Sequence, residues 1–289
     1  MDGRRSGKTR VRLQSVEDGQ ATARIDLVAA EEPMEIRLRS GKQTRPVTVT
    51  MRTPGADFEL AAGLLFAEGI VTSRAQLSRI EYCVECEGSA AQQYNIVTVV
   101  TAPVTRADYF IPGRTFGMSS ACGLCGRERI DEIERRGVEP VRSELVVSHE
   151  LITSLPDRLR DAQGLFDSTG GLHAAGLFDA SGNLLVLRED VGRHNAVDKA
   201  IGWAFMEDRL PLSESILMIS GRGSFEIVQK AVAAGIPIVC AVSAPSSLAV
   251  DLARRFDQTL IGFLRGSRFN IYSAAKRIEL APSTSPGEP

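Results

Sequence analysis

From residue 163 onward the chain repeats one grammar, and this alternation restricts the fold more than any other feature. Residues 174–179 and 184–188 read as strands joined by Ala180-Ser181-Gly182-Asn183, a hairpin turn. A helix over 195–206 then leads to the apolar strand 216–219. Helix 225–234 leads to strand 236–242, and helix 247–256 to strand 259–263. Strands apolar on both faces and separated by helices predict a mainly parallel sheet covered by helices. Such sheets take ligands at the C-terminal edges of their strands. That edge carries Ser220-Gly221-Arg222-Gly223 and Ser243-Ala244-Pro245-Ser246.

The first half follows different rules. Between residues 22 and 52 apolar and polar residues alternate, with breaks at Glu31-Glu32-Pro33 and Ser40-Gly41, which predicts two or three strands of a meander. A helix over 58–68 follows, with Asp57 placed to cap it. A short helix near 73–79, a strand at 95–101 and a helix over 149–162 complete this part. A length of 289 residues allows one large domain or two modest ones. A formal net charge of −2 gives no general case for nucleic acid or a membrane surface. No apolar run approaches the roughly 20 residues of a membrane helix. The basic start (Arg4, Arg5, Lys8, Arg10, Arg12) lacks an apolar segment behind it, so it reads as a solvated tail rather than an export signal. Five cysteines, an odd number, do not suggest a disulfide framework. A cytoplasmic location is the expectation.

The richest chemistry lies in Ser119-Ser120-Ala121-Cys122-Gly123-Leu124-Cys125-Gly126. Small residues surround two cysteines there, which predicts a mobile loop with little to bury. The helix that follows carries Ile130 and Ile133 on one side. Its N-terminal dipole, with Arg127 and Arg129, favours a thiolate at Cys125. Cys83/Cys86 and Cys122/Cys125 could together make a four-thiolate zinc site, and a CxxC pair also suits redox exchange. Glu81, Glu85 and Glu87 disfavour thiolates at Cys83 and Cys86, so that pair reads as incidental or weakly structural. Cys240, inside an apolar strand, reads as a core filler.

Three further motifs cluster functional groups. In Asp190-Val191-Gly192-Arg193-His194-Asn195-Ala196-Val197-Asp198-Lys199, two readings stand side by side. One is a capped helix with a surface charge network. The other is an anion or nucleotide site, with Arg193 supplying paired donors and His194 a switchable proton. Gly170-Gly171 before His173 suggests close backbone approach. Ser220-Gly221-Arg222-Gly223-Ser224, at a strand-to-helix turn, can hold phosphate on backbone N–H groups. Zinc deaminases carry His-x-Glu at one helix start and Pro-Cys-x-x-Cys at the next. Ser224-Phe225-Glu226 and Pro245-Ser246-Ser247-Leu248-Ala249 fall in the same order, with non-ligating residues at the metal positions. The pattern predicts a deaminase-like scaffold whose zinc site has been erased.

Taken together, the Cys122-Gly-Leu-Cys125-Gly loop, Thr169-Gly-Gly-Leu-His173, Glu189 to Lys199, Ser220-Gly-Arg-Gly-Ser-Phe-Glu226 and Ala244-Pro-Ser-Ser-Leu248 resemble the FdhD/NarQ family of formate dehydrogenase accessory sulfurtransferases. The resemblance runs from about residue 25 to 275. It implies an α/β fold: a C-terminal cytidine-deaminase-like three-layer α/β/α domain lacking the zinc site, with a smaller N-terminal α+β domain. The expected divisions are a disordered basic tail (1–20), an N-terminal region with the CxxC loop at its end (21–140), the deaminase-like domain (141–280) and a disordered tail (281–289). The resemblance further implies a sulfur carrier that takes persulfide sulfur from a cysteine desulfurase. The sulfur goes to the molybdenum (or tungsten) of a bis(molybdopterin guanine dinucleotide) cofactor serving formate dehydrogenase, with no intrinsic zinc. Cys122 is the implied persulfide carrier and Cys125 its partner. The implied cofactor-contacting segment is Phe263-Leu264-Arg265-Gly266-Ser267-Arg268, and a homodimer is implied as well. Gly170, Gly171, His173, Arg193, His194, Ser220, Gly221 and Arg222 join the expected cofactor site. Cys83/Cys86 departs from the family pattern and receives no role. A thiol–disulfide oxidoreductase and a zinc-binding cofactor chaperone without sulfur transfer are the alternatives.

Overall fold

The computed structural model describes residues 6–83, 93–102 and 126–281. The Cys122/Cys125 loop, Cys86 and the last eight residues lie outside them. A hairpin opens the chain, β1 (Lys8–Glu17) with β2 (Gln20–Ala29). Lys8, Arg10 and Arg12, expected in a solvated tail, are therefore strand residues. Asp18 and Gly19 both have positive φ, the Asp-Gly signal of a tight hairpin turn.

β3 (Glu32–Ser40), β4 (Gln43–Arg52), α1 (Asp57–Ala67), β5 (Leu77–Tyr82) and β6 (Ile96–Thr101) form the next unit. Its sheet has the order β4-β3-β6-β5, with β3 and β6 parallel. Met34, Ile36, Leu60, Leu65, Val97 and Val99 fill the core between this sheet and α1. Two local expectations are corrected. The helix near residues 73–79 is a single 3₁₀ turn, Arg74–Gln76, that runs into β5. Asp57 does not cap α1 as expected. Ala56 occupies that position in a left-handed conformation, and Asp57 instead forms a two-pronged ion pair with buried Arg52 (3.0 Å on each arm). Cys83, just after β5, is disulfide-bonded.

The second unit comprises α2 (Gly126–Arg135), β7 (Val147–Ser148), α3 (His149–Asp161), α4 (Gly164–Thr169), β8 (His173–Phe178) and β9 (Leu184–Asp190). It continues with α5 (Arg193–Met206), β10 (Ile216–Ile219), α6 (Phe225–Ala233), β11 (Ile238–Ala241), α7 (Ser247–Arg255), β12 (Thr259–Arg265), β13 (Arg268–Ser273) and β14 (Ile278–Glu279). Six of these strands form one sheet in the order β13-β12-β11-β10-β8-β9. Alternation along each strand divides the apolar residues between two layers. Leu217, Ile219, Val239 and Ala241 face α5, α6 and α7, joined by Ile130 and Ile133 of α2. Ile216, Met218, Ile238 and Cys240 face Ile152, Leu155 and Leu159 of α3. Cys240 is fully buried in that layer as a filler, and burial pushes its thiol pKa well up.

The expectation of a mainly parallel sheet is corrected. β10, β11 and β12 run parallel, but hairpins flank them, so β8/β10, β8/β9 and β12/β13 are antiparallel. The flanking strand β13 carries polar and half-buried residues, which hid it from a search for apolar runs. α5 binds the two units together. It crosses α1 so closely that a Cβ on Gly202 would lie 1.9 Å from the Glu59 carbonyl oxygen, and one on Gly63 1.9 Å from that of Asp198. Phe205 at the end of α5 sits in the core of the first sheet.

Candidate functional site

Strand direction brings distant motifs to one edge. β9, β10, β11 and β12 end there, and β8, running the other way, begins there. The edge therefore collects His173, the start of α5 at Arg193 and His194, the Ser220–Ser224 turn, the Ser243–Ser246 turn and the β12–β13 bend at residues 263–268. Backbone bonds stitch these turns into one rim. The Ser220 N–H donates to Ala174, Ser243 to Gly221, Ser246 to Gly223 and Phe263 back to Ser243. The Ser220 hydroxyl accepts from the Ala174 N–H at 2.9 Å.

The long motif Glu189–Lys199 splits by direction, and the charge network expected at its surface is buried instead. Its inward half is a structural seam. Asp190 and Lys199 form a buried ion pair at 2.7 Å. Asp190 also accepts from Thr53 N–H, Gly192 N–H and the Asn195 amide, while Lys199 donates to the Thr53 carbonyl. Asp198 pairs with Lys230 at 2.7 Å. The Glu189 carboxylate accepts from Leu165 and Phe166 N–H and so caps the start of α4. These contacts tie β9 and α5 to the end of β4 and to α4.

Arg193 and His194 face the rim instead. Arg193 Nε is buried with no acceptor among the described residues. His194 Nε2 lies 3.1 Å from the Ser224 hydroxyl and 3.8 Å from a Glu226 carboxylate oxygen. Burial, reinforced by Arg193, pushes the pKa of His194 down to about 4. Burial and then Arg193 also lower that of His173. Both rings are thus neutral near pH 7 and can accept or donate according to tautomer. An ideal Cβ on Gly221 would lie 3.5 Å from His173 Nδ1 and 3.8 Å from Arg193 Cδ, so the turn passes over both side chains. The N–H groups of Gly221, Arg222 and Gly223 make no hydrogen bond among the described residues. Bare N–H groups beside an unpartnered guanidinium, with neutral imidazoles around them, are donors of the kind that could hold an anion.

The remaining predicted residues are placed as follows. Gly170 ends α4 with φ +68, and Gly171 follows it, exposed, just before His173. Phe263 is 41% exposed with φ +54, at an irregularity in the β12–β13 register. Gly266 turns the hairpin with φ +53. Arg265 donates to the Val242 carbonyl, which sets it against the Ser243 turn, and Arg268 is exposed at the start of β13. Leu264, by contrast, is buried in the layer under α3. Cys122 and Cys125 lie outside the described residues.

Ser224 and Glu226, named in sequence within larger motifs but not among the expected site residues, both stand against His194. At the second position of that pattern, the Ser246 hydroxyl accepts from the Ala249 N–H and caps α7. That is a helix-capping role.

A family model described as the FdhD/NarQ family matches residues 29–279. A sulfur carrier protein FdhD of Streptomyces coelicolor is 48% identical over 274 residues, covering 94% of this chain and 96% of that protein. One of Mycolicibacterium paratuberculosis is 48% identical over 271 residues, covering 93% and 98%. A crystal structure from Desulfotalea psychrophila, described as a candidate formate dehydrogenase accessory protein, superposes with a TM-score of 0.73. It is 26% identical and covers 95% of this chain and all of that one. The chain belongs to the FdhD/NarQ family. Among the described residues no helix is long and apolar enough to cross a membrane.

Proposed function

We propose that this protein is a cytoplasmic sulfur carrier for formate dehydrogenase. The Cys122 thiolate attacks the terminal sulfur of a desulfurase persulfide. The donor cysteine leaves as a thiolate and Cys122 keeps the sulfur as its own persulfide. Cys125 is its assisting partner. The S–S bond then breaks, Cys122 leaves as a thiolate, and the terminal sulfur passes to the molybdenum of a bis(molybdopterin guanine dinucleotide) cargo, taking two electrons from that metal to become its sulfido ligand before the cargo goes on to formate dehydrogenase. The name of the relatives, sulfur carrier protein FdhD, supports the sulfur chemistry. The description of the Desulfotalea structure supports the client.

The observation that carries the cargo reading is the anion site on the sheet edge. Arg193, with its unpartnered Nε, and the bare N–H groups of Gly221 to Gly223 suit a pyrophosphate. Arg222 and Arg265 flank the same rim. The strand order supports a deaminase-like scaffold, with a first hairpin followed by three parallel strands linked through helices. A homodimer completes the proposal.

Mass spectrometry after incubation with a cysteine desulfurase and cysteine tests it. A gain of one sulfur, roughly 32 Da, that Cys122→Ser abolishes is the expected result. A stable disulfide between Cys122 and Cys125 with no sulfur adduct would overturn it in favour of an oxidoreductase.

A further inference from the structure

The hairpin β1–β2 forms a sheet of its own, two strands with no third among the described residues. The body grips it near its open end. There the Ala30 N–H donates to the Gly7 carbonyl, Gly7 lies against Leu165, and β2 touches α4. Every residue from Val16 to Ile25 is exposed. A lone two-stranded hairpin is at best marginally stable in water, and a further strand or a packed face is what secures it. Arg10 and Arg12 lie opposite Leu27 and Ile25, and Val16 lies opposite Ala21. By strand alternation these residues share one side of the hairpin with Lys8 and Ala23. Ile25 is 65% exposed on that side and Val16 67%. The side is polarised along its length. Its open end is cationic, the turn beyond it carries Glu17 and Asp18, and apolar residues lie between. On the other side Arg24 and Asp26 answer each other at 3.7 Å.

We propose that this side of the hairpin is a self-association surface, on which the hairpin of a second copy of the chain packs antiparallel about a two-fold axis. Two-fold symmetry lets one patch serve both copies, provided it is complementary to itself. Antiparallel packing meets that condition. It lays each acidic turn beside the cationic open end of the other copy and brings the two Ile25 side chains close to the axis. The Arg10 and Arg12 stems then cover alanine and valine of the other turn half while their charged heads stay in water. Parallel packing would set cations on cations. Apolar burial supplies the attraction, and the exposed charges, weak in themselves, fix the direction. A ten-residue strand pair offers a face of about 33 Å by about 10 Å, well under the roughly 800 Å² per partner of a standard interface. The dimer is therefore one that dissociates on dilution. Charges on an exposed strand also guard against unwanted edge pairing. That role alone predicts a monomer. The proposal gives the homodimer of the preceding section a surface and does not depend on the sulfur chemistry.

Sedimentation velocity of the full chain in low salt, across the micromolar range, tests it. Wild type is expected to pass from monomer to dimer as concentration rises. Ile25→Glu places a carboxylate near the axis and is expected to weaken dimerisation at least about tenfold. Two charge variants test the direction. One reverses the open end (Lys8→Glu, Arg10→Glu, Arg12→Glu). The other alters the turn (Glu17→Lys with Asp18→Asn, asparagine tolerating the positive φ there). Each alone is expected to self-associate more weakly than wild type, and a mixture of the two to form a mixed dimer. All these positions lie at the surface, so each variant is expected to keep the wild-type circular dichroism spectrum. A wild type that stays monomeric at every concentration overturns the proposal. Dimerisation unchanged in Ile25→Glu, or a mixture no more dimeric than its two components, overturns it as well and leaves a homodimer through another surface standing.

Discussion

The two halves of Glu189–Lys199 lie side by side yet differ in almost every physical respect. The seam formed by Glu189, Asp190, Asn195, Asp198 and Lys199 is buried or half-buried, and each of its charges is answered by an opposite charge or a hydrogen bond. At Arg193 and His194 the molecule leaves a guanidinium nitrogen without an acceptor and an imidazole shifted far from its ordinary proton affinity. The seam holds α5 in place. The rim uses that placement to present unsatisfied groups at a sheet edge. A dense run of polar residues is therefore not one site. Helical geometry sends some of its members inward and others to the edge, and the pattern of satisfied and unsatisfied partners separates them.

If that contrast is right, the seam and the rim fail differently when altered. The largest effect is expected at the seam. Lys199→Met leaves the Asp190 carboxylate buried without its counter-charge and is expected to cost about 3–5 kcal/mol of stability. Urea denaturation measures it, and a loss below about 1 kcal/mol would show that Asp190 and Lys199 are not an obligatory pair. A smaller, pH-dependent effect is expected at the rim. The pKa of His194 falls from 6.5 to about 4 on folding, so between those values the unfolded chain binds more protons than the native one. Stability tied to this residue is fully present above about pH 6.5 and is lost as pH falls towards 4. The loss amounts to at most about 3 kcal/mol, at roughly 1.4 kcal/mol per tenfold change in proton affinity. His194→Gln is expected to flatten that limb of the stability-versus-pH curve. An unchanged slope would contradict the burial that sets the shift.

Sequence alone went furthest where apolar periodicity was strong. The strands at 216–219 and 259–263 and the helices between them follow directly from residues that are apolar on both faces. The β8–β9 hairpin was legible from its turn. β13 was not, because Arg268-Phe269-Asn270-Ile271-Tyr272-Ser273 mixes exposed and half-buried positions and offers no apolar run. β1 was missed because its arginines outweighed the weaker alternation of Val11 and Leu13, although Asp18-Gly19 carried the turn signal. At the candidate site, the motifs themselves were legible from residue types. Their convergence on one rim could not be read without strand directions, and neither could the burial of Leu264. Glu226 and Ser224 became site residues only once His194 was seen beside them. Asp57 shows the opposite lesson: a residue typed as a cap was taken by a stronger partner, Arg52, brought by the neighbouring strand.

The central claim is that an atom of sulfur travels through Cys122 to a cofactor held at the rim. Radiolabelled sulfur from cysteine, followed through a desulfurase, this protein and purified formate dehydrogenase, tests it most directly. The account predicts label in the enzyme's cofactor with wild type and none with Cys122→Ser, alongside loss of enzyme activation. Full activation of formate dehydrogenase by Cys122→Ser, with no label passing through the chain, would contradict it.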